Sequence, residues 1–428
     1  MGCRAAIERA TTTATKEVRL TEVHTVVIGG GHTGLAMSYC LSQLGVEHLV
    51  LERGEVGQRW RDERWDSLTL LTPNWMTQLP GFHYDGSDPD GFETRDGYLS
   101  YLEQYAASFQ APLQLRTNVD SLERRDSLDR YALRTNRGPI EARNVVIATG
   151  PFHQPHIPDL SKTLPPSVFE IHSSRYRKPD QLPDGPALVV GTGNSGLQIV
   201  EDLLNANRRV FVSVGRLRGA PRRYRDKDIL WWLIQQGALD RRVEDLPSPD
   251  AKQVPPPLLT GVGGGHDLNL REFSDRGVVF LGRLLGGAGG RLAFSADINE
   301  SFAKAEEAYQ GFKTSIDQFV SAQGLTIPEE ATAGAFVPTG IADPVTELDL
   351  AREAIRTLIW ATGFNYTFGW VHLPVFDEAG EVLHRGGVTA FPGLYFLGLR
   401  WLRKYKSFFI YGVGEDAGIL AKHIAQRA

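Results

Sequence analysis

The chain has 428 residues, a hydrophobic fraction of 42%, a charged fraction of 23% and a formal net charge of -5. That length accommodates two domains, and the acidic balance excludes a nucleic-acid surface, which requires a basic one. The two cysteines, Cys3 and Cys40, form no C-x-x-C pair. This excludes a redox dithiol, a zinc knuckle and a disulfide framework, and the usage fits a cytoplasmic location.

Residues 1–20 hold Thr11, Thr12, Thr13 and Thr15 among mixed charges, without an apolar stretch of signal-peptide length. They read as a flexible extension. The apolar run Ile229 to Ile234 is far too short to span a bilayer and reads as a buried helix face.

The first organised unit begins with the strand Val23 to Ile28 and runs into Gly29-Gly30-Gly31-His32-Thr33-Gly34. This is G-x-G-x-x-G placed between a strand and a helix. The first glycine permits the tight turn, the second lets the backbone approach a pyrophosphate, and the third lets helix and strand pack closely. The phosphates then face the positive end of the helix. Helical spacing follows from Leu35 to Leu44 and stops at Gly45; a second strand, Glu47 to Leu51, ends at Glu52. A carboxylate there suits both ribose hydroxyls of a dinucleotide. The motif by itself does not choose FAD over NAD.

The same layout recurs at the strand Ala187 to Val190 and Gly191-Thr192-Gly193-Asn194-Ser195-Gly196. A helix through about Asn205 and the strand Val210 to Val214 follow. No acid stands at that strand's end; Arg216, Arg218, Arg222 and Arg223 cluster there instead. A carboxylate would repel a 2′-phosphate, whereas guanidinium groups bind it. This predicts an NADPH site, with Arg216 on the phosphate and Ser213 as a helper.

Residues 245–265, rich in proline and then glycine, read as a connector. Val278 to Leu284 and Arg291 to Phe294 read as a hairpin turning over Gly286 to Gly290. An amphipathic helix is predicted from Glu300 to Ala322, ended by Gly324. Strands closing on Ala-Thr-Gly occur at 145–150 and 358–363. The chain should return to its first domain through the second of these and the C-terminal segment, which makes the N-terminal site the FAD site. His153 and His156 are too few to make a mononuclear metal site, and none is expected.

Alternating strands and helices imply an α/β fold with two Rossmann-like dinucleotide-binding domains and mainly parallel sheets. The expected boundaries are 1–20 for the extension and 21–157 for the first part of the FAD domain. The NADPH domain follows at 158–340, with a substrate-selective insertion at 245–325, and the second part of the FAD domain at 341–428. Trp231, Trp232 and the loop Gly261 to His266 are candidates to line a substrate pocket.

The chain resembles the flavin-containing monooxygenases, also called class B flavoprotein monooxygenases. The resemblance rests on the two glycine motifs with Glu52 and Trp60, on Trp65-Asp66-Ser67-Leu68-Thr69-Leu70, and on Ala148-Thr149-Gly150-Pro151. It continues through His172-Ser173-Ser174-Arg175-Tyr176, Ala361-Thr362-Gly363-Phe364 and Pro392-Gly393-Leu394-Tyr395. The family's F-x-G before its histidine element is absent. The resemblance implies an NADPH domain inserted into an FAD domain, with His172 near the hinge. It implies cofactor contacts from Gly29, Gly31, His32, Thr33, Gly34, Glu52, Arg53, Arg59, Trp60, Val119, Gly150, Gly191, Gly193, Asn194, Ser195, Gly196, Gly363 and Gly398. Many members that oxygenate nitrogen or sulfur carry an asparagine where this chain has Leu71, so Asn74 is the catalytic candidate. The implied chemistry is hydride transfer from NADPH to FAD, then oxygenation of a small organic substrate by dioxygen activated on the flavin. A nitrogen or sulfur centre is the expected acceptor. Baeyer–Villiger oxygenation of a ketone and simple NADPH oxidation are the alternatives, and a homodimer is one option for the assembly.

Overall fold

The structure, a computed structural model, describes residues 20–329 and 334–427. Residues 1–19 of the expected extension, Cys3 included, lie outside the described residues.

The first sheet has seven strands. Its parallel part runs Leu113–Gln114, His48–Leu51, Thr21–Ile28, Gly138–Ile147 and Leu394–Phe396. Val26, Val27, Val145 and Val146 are wholly buried, because both faces of such a parallel sheet are covered and leave no polar side. The helices His32–Gln43 and Val413–Ala425 pack together on it. Two antiparallel strands, Val119–Arg125 and Arg130–Thr135, extend the sheet from the first half of Gly138–Ile147.

The second sheet is parallel throughout, in the order Phe169–His172, Thr357–Trp360, Ala187–Val190, Val210–Ser213 and Val279–Leu281. Here the sequence expectation fails. The second Ala-Thr-Gly strand, Thr357–Trp360, does not complete the first domain but lies between Phe169–His172 and Ala187–Val190 in the second sheet. Leu394–Phe396 and the C-terminal helix are what return to the first sheet.

The chain crosses between the sheets twice, each time just after an Ala-Thr-Gly. The crossing residues Gln154–Pro155 and Phe364–Asn365 pair antiparallel as a two-stranded ribbon. His172 braces it: its Nε2 lies 3.0 Å from the Gly363 carbonyl and its Nδ1 3.0 Å from Ser174 Oγ. Burial holds the His172 ring below the usual histidine range, so the neutral ring donates from Nε2 to the carbonyl.

The hairpin is Leu284–Ala288 with Arg291–Phe294, joined to Glu347–Asp349. Its turn is only Gly289-Gly290, both at positive φ (60° and 87°), the geometry a two-residue hairpin loop requires. Gly286 and Gly287 are strand residues, not turn residues as expected. The helix Ile298–Gln323 buries Ile298, Phe302, Ala305, Tyr309, Phe312, Ile316 and Val320, one face at helical spacing. Gly324 ends it in a left-handed conformation at φ 62°. Among the described residues no helix is long and apolar enough to cross a membrane.

Candidate active site

The two glycine motifs build two cradles from the same contacts. A β-carbon on Gly29 would stand 2.6 Å from the carbonyl oxygen of Ala148; one on Gly191 would stand 2.5 Å from that of Ala361. A β-carbon on Gly34 would strike the Gly29 carbonyl, and one on Gly196 the Gly191 carbonyl. At the middle glycines, Gly31 and Gly193, a β-carbon would meet nothing within 4 Å. Each cradle is thus closed below and open above, where a pyrophosphate fits against a helix N-terminus.

Gly31 opens into a cleft of about 530 Å³. Glu52, Val119 and Asp120 line it; so do Arg64, set over the Trp60 and Phe152 rings, and Phe408, beside His32. Gly29, His32, Thr33, Arg53, Arg59, Trp60 and Gly150 also line it. Glu52 is buried, and its two oxygens accept from the Gly30 and Gly54 amides at 2.6 and 3.0 Å. The carboxylate is thereby fixed at the cleft wall, and its remaining lone pairs suit ribose hydroxyls. Arg59 pairs with Glu63 at 3.0 Å and donates to the carbonyl of Phe152, tying the helix Gln58–Asp62 to the first crossing. Arg53 is half-exposed and also reaches Glu63. Trp60 packs edge-on against Tyr98 at 4.7 Å. His32 Nε2 lies 3.3 Å from the Phe408 carbonyl, and burial pulls its ring down to about 4. The open cradle, the fixed acid and the aromatic rings together fit FAD.

Gly398 is not a cleft residue. Its β-carbon would stand 2.6 Å from Thr33, so it permits the close approach of the segment after Leu394–Phe396 to the glycine loop. Gly363 likewise serves the ribbon, at φ 86°, as the acceptor of His172.

At the second cradle Gly193 is exposed and Ser195 partly so. Asn194 turns away from the cradle mouth. Its Oδ1 accepts from Leu259 N at 2.8 Å and its Nδ2 donates to the Pro257 carbonyl at 3.3 Å, so it anchors the proline-rich connector to the helix. Ser213 is buried, and the geometry removes it from phosphate binding. Its Oγ donates to the Gly282 carbonyl at 3.0 Å and accepts from Leu284 N at 3.1 Å. The arginine cluster divides in the same way. Arg216 is exposed beyond Val210–Ser213. Arg222 is 1% exposed, paired with Asp228 and bonded to the Leu71 carbonyl at 2.8 Å, so it is a structural cation. Arg218 stacks over Phe312 at 4.5 Å. The open cradle and the acid-free strand end fit a second dinucleotide.

Asn74 does not line the flavin cleft. It is buried in a short turn, and its Nδ2 donates to the Asp88 carbonyl at 2.9 Å while its Oδ1 has no partner. The next residue, Trp75, lines a second cavity of about 490 Å³ with Trp231 and Tyr411. Trp232 is wholly buried and donates Nε1 to the Tyr224 carbonyl at 2.8 Å, so it is core rather than pocket lining. In the Gly261 to His266 loop, Gly261 and Gly265 press on Phe92, and His266 pairs with Glu201 at 2.5 Å. His153 and His156 turn to Thr149 and Asn365 respectively and do not converge. Sequence reasoning missed Arg64, Phe152 and Phe408. Arg64 had a signal, since it follows Trp60 by four residues, and its guanidinium lies over the Trp60 ring.

Residues 26–236 match the pyridine nucleotide-disulphide oxidoreductase family. A CzcO-like oxidoreductase of Geobacillus kaustophilus is 33% identical over 94% of this chain and 98% of its own. CzcO of Bacillus subtilis is 30% identical over the same shares. The chain belongs to the CzcO-like oxidoreductases. A probable indole-3-pyruvate monooxygenase, YUCCA4 of Arabidopsis thaliana, is 31% identical over 42% of this chain and 44% of its own. The fold matches a flavin-containing monooxygenase of Stenotrophomonas maltophilia, with TM-score 0.65 and 18% identity over 95% of this chain and 99% of that one. It also matches an ornithine N-hydroxylase of Kutzneria sp. 744 solved with reduced FAD, NADP+ and L-ornithine. That match has TM-score 0.61 and 15% identity over 95% and 99% of the two chains. This CzcO-like protein is an oxidoreductase with two cradles of the kind that hold dinucleotides. Its Cys40 lies partly buried in the helix His32–Gln43, where burial pushes the thiol up to about 11 and keeps it protonated.

Proposed function

We propose that this oxidoreductase is a monooxygenase that transfers one atom of dioxygen to a nitrogen or sulfur centre of a small organic molecule. The other oxygen atom leaves as water, and NADPH supplies the electrons. The observation that carries the reading is the pair of matched glycine cradles joined by the crossing ribbon. One chain offers two such cradles on two sheets, the arrangement that hydride transfer between two dinucleotides requires. FAD held in the first cradle would supply the hydride acceptor and the site of dioxygen activation. The protein's part is to hold and orient both nucleotides and to exclude water. Glu52 and the Gly29 to Gly34 loop would hold FAD; the Gly191 to Gly196 loop and Arg216 would hold NADPH. Asn74, with a buried oxygen lacking a partner beside the Trp75 cavity, is assigned to the substrate side.

The ornithine N-hydroxylase that shares this fold supports a nitrogen acceptor. The relative named for indole-3-pyruvate, a 2-oxo acid, favours a second reading in which a carbonyl compound is the acceptor. Oxygen uptake with NADPH separates the readings when an amine, a thioether, a 2-oxo acid and a cyclic ketone are supplied side by side. An N- or S-oxide is the expected product. Product from the carbonyl compounds alone would establish the second reading. Stoichiometric hydrogen peroxide with every substrate would overturn both.

A further inference from the structure

The cleft contains a cation that forms no direct ion pair among the described residues. Arg64 lines the cleft, with its guanidinium 5.2 Å from the ring centroid of Trp60 and 5.4 Å from that of Phe152. Its Nη1 donates 2.7 Å to the Glu63 carbonyl. The Glu63 carboxylate, however, faces Arg53 and Arg59. Among the described residues Arg64 has no ion-pair partner. Burial pulls it down to about 10, which leaves it charged at neutral pH.

Its place in the cleft indicates which part of the cofactor it meets. Glu52 suits a ribose. The residues after Arg64 dock on the second sheet's unit: Asp66 N donates to the Arg177 carbonyl at 2.8 Å, and Ser67 Oγ to Asp202 at 2.9 Å. Trp65 and Leu68 are buried in that unit's core. A ring that takes hydride from a nucleotide on the second cradle has to lie beside this segment. Reduction adds electrons and negative charge to such a ring, and a cation in a water-poor cleft favours the charged form.

We propose that Arg64 is the counter-charge for reduced flavin, a positioning residue that, held between Trp60 and Phe152, makes the cleft bind the reduced ring more tightly than the oxidised one.

The test is an anaerobic potentiometric titration of the holoenzyme and its Arg64→Gln and Arg64→Lys variants. Arg64→Gln should lower the ratio of reduced to oxidised FAD affinity at least tenfold, a fall of about 30 mV for a two-electron couple. Arg64→Lys, which keeps the charge, should stay within about threefold, or roughly 15 mV on the same scale. Sulfite, which adds to oxidised flavin and leaves it negatively charged, should bind Arg64→Gln at least ten times more weakly. If a variant loses FAD during purification, oxidised and reduced FAD titrated into it give the same ratio. An unchanged potential and sulfite affinity in Arg64→Gln would overturn the proposal. So would equal weakening of both redox forms, which would mark a packing or diphosphate-binding role. None of these readouts involves dioxygen or an organic substrate, so the outcome is independent of the oxygenation proposed above.

Discussion

Gly191 sits against the carbonyl oxygen of Ala361 so closely that a β-carbon there would be 2.5 Å from it. Ala361 opens the second Ala-Thr-Gly, and Ala148, which opens the first, stands in the same relation to Gly29. The repeated tripeptide is therefore the partner of the glycine motif in each sheet. It supplies a small residue and a carbonyl beside the tight turn, then a glycine at positive φ (74° for Gly150, 86° for Gly363) that turns the chain into the crossing ribbon.

This predicts opposite behaviour for two neighbouring glycines. Gly191→Ala forces a side chain onto φ 110° and onto a backbone carbonyl. Strain of roughly 1–3 kcal/mol should lower the melting temperature by about 1–3 °C in a chain of this length. Gly193→Ala meets nothing in the chain. It should melt within about 0.5 °C of the parent, a shift of under roughly 0.5 kcal/mol, yet weaken NADPH because the new methyl occupies the space left for phosphate. Calorimetry and NADPH titration of both variants check this; equal losses of stability would refute the division.

Glu52 carries the second prediction. Both carboxylate oxygens accept backbone amides, and charge-assisted bonds of this kind contribute about 1.5–3 kcal/mol each. In Glu52→Gln one of these amides faces an NH2 group. FAD affinity should fall by about 10–100-fold, the equivalent of one such bond, measured by flavin fluorescence on titrating FAD into the stripped protein. Unchanged affinity would show that the acid serves the loop alone.

How much of the fold and the site is legible in the sequence depends on how local the determinants are. Glu52 is readable because strand, glycine loop, helix and acid lie within one short βαβ unit, and all of them face the cleft. The fate of Thr357–Trp360 is not. Its sequence repeats that of the strand before Gly150, and its sheet is decided by Ile359 fitting between Ile171 and Val189, both distant in the chain. Ser213 fails for the same reason, since its partners Gly282 and Leu284 lie about seventy residues on. Arg222 and Arg216 look alike as letters, and only the packing of Phe92 and Asp228 around one of them separates core from surface.

That separation is the third prediction. Arg216→Ala should raise the NADPH Michaelis constant about tenfold, the loss of roughly 1.4 kcal/mol of phosphate contact, and leave NADH nearly unaffected. Equal effects on both nucleotides would remove Arg216 from the 2′-phosphate. Arg222→Met should act on stability instead, because it leaves the largely buried Asp228 carboxylate with only the Leu230 amide, at a cost of about 2–4 kcal/mol. Chemical denaturation of the two variants beside their nucleotide kinetics distinguishes these roles.

His32 supplies a prediction in pH. Burial pulls its ring down to about 4 while the unfolded chain keeps the ordinary value near 6.5. The unfolded state therefore binds more protons than the folded state between those values, and stability must rise with pH across that window. The contribution is complete above pH 6.5 and is lost as the pH falls towards 4, to a limit of about 3 kcal/mol. His48, His153 and His172 are also held below the usual range, so some acid sensitivity belongs to them. His32→Gln keeps a donor and an acceptor near the Phe408 carbonyl and removes the titration. Denaturant unfolding of the FAD-free protein and this variant at pH 7, 5.5 and 4.5 should show the two curves converging as the pH falls. Parallel curves would mean that the ring reaches water through the cleft and titrates normally.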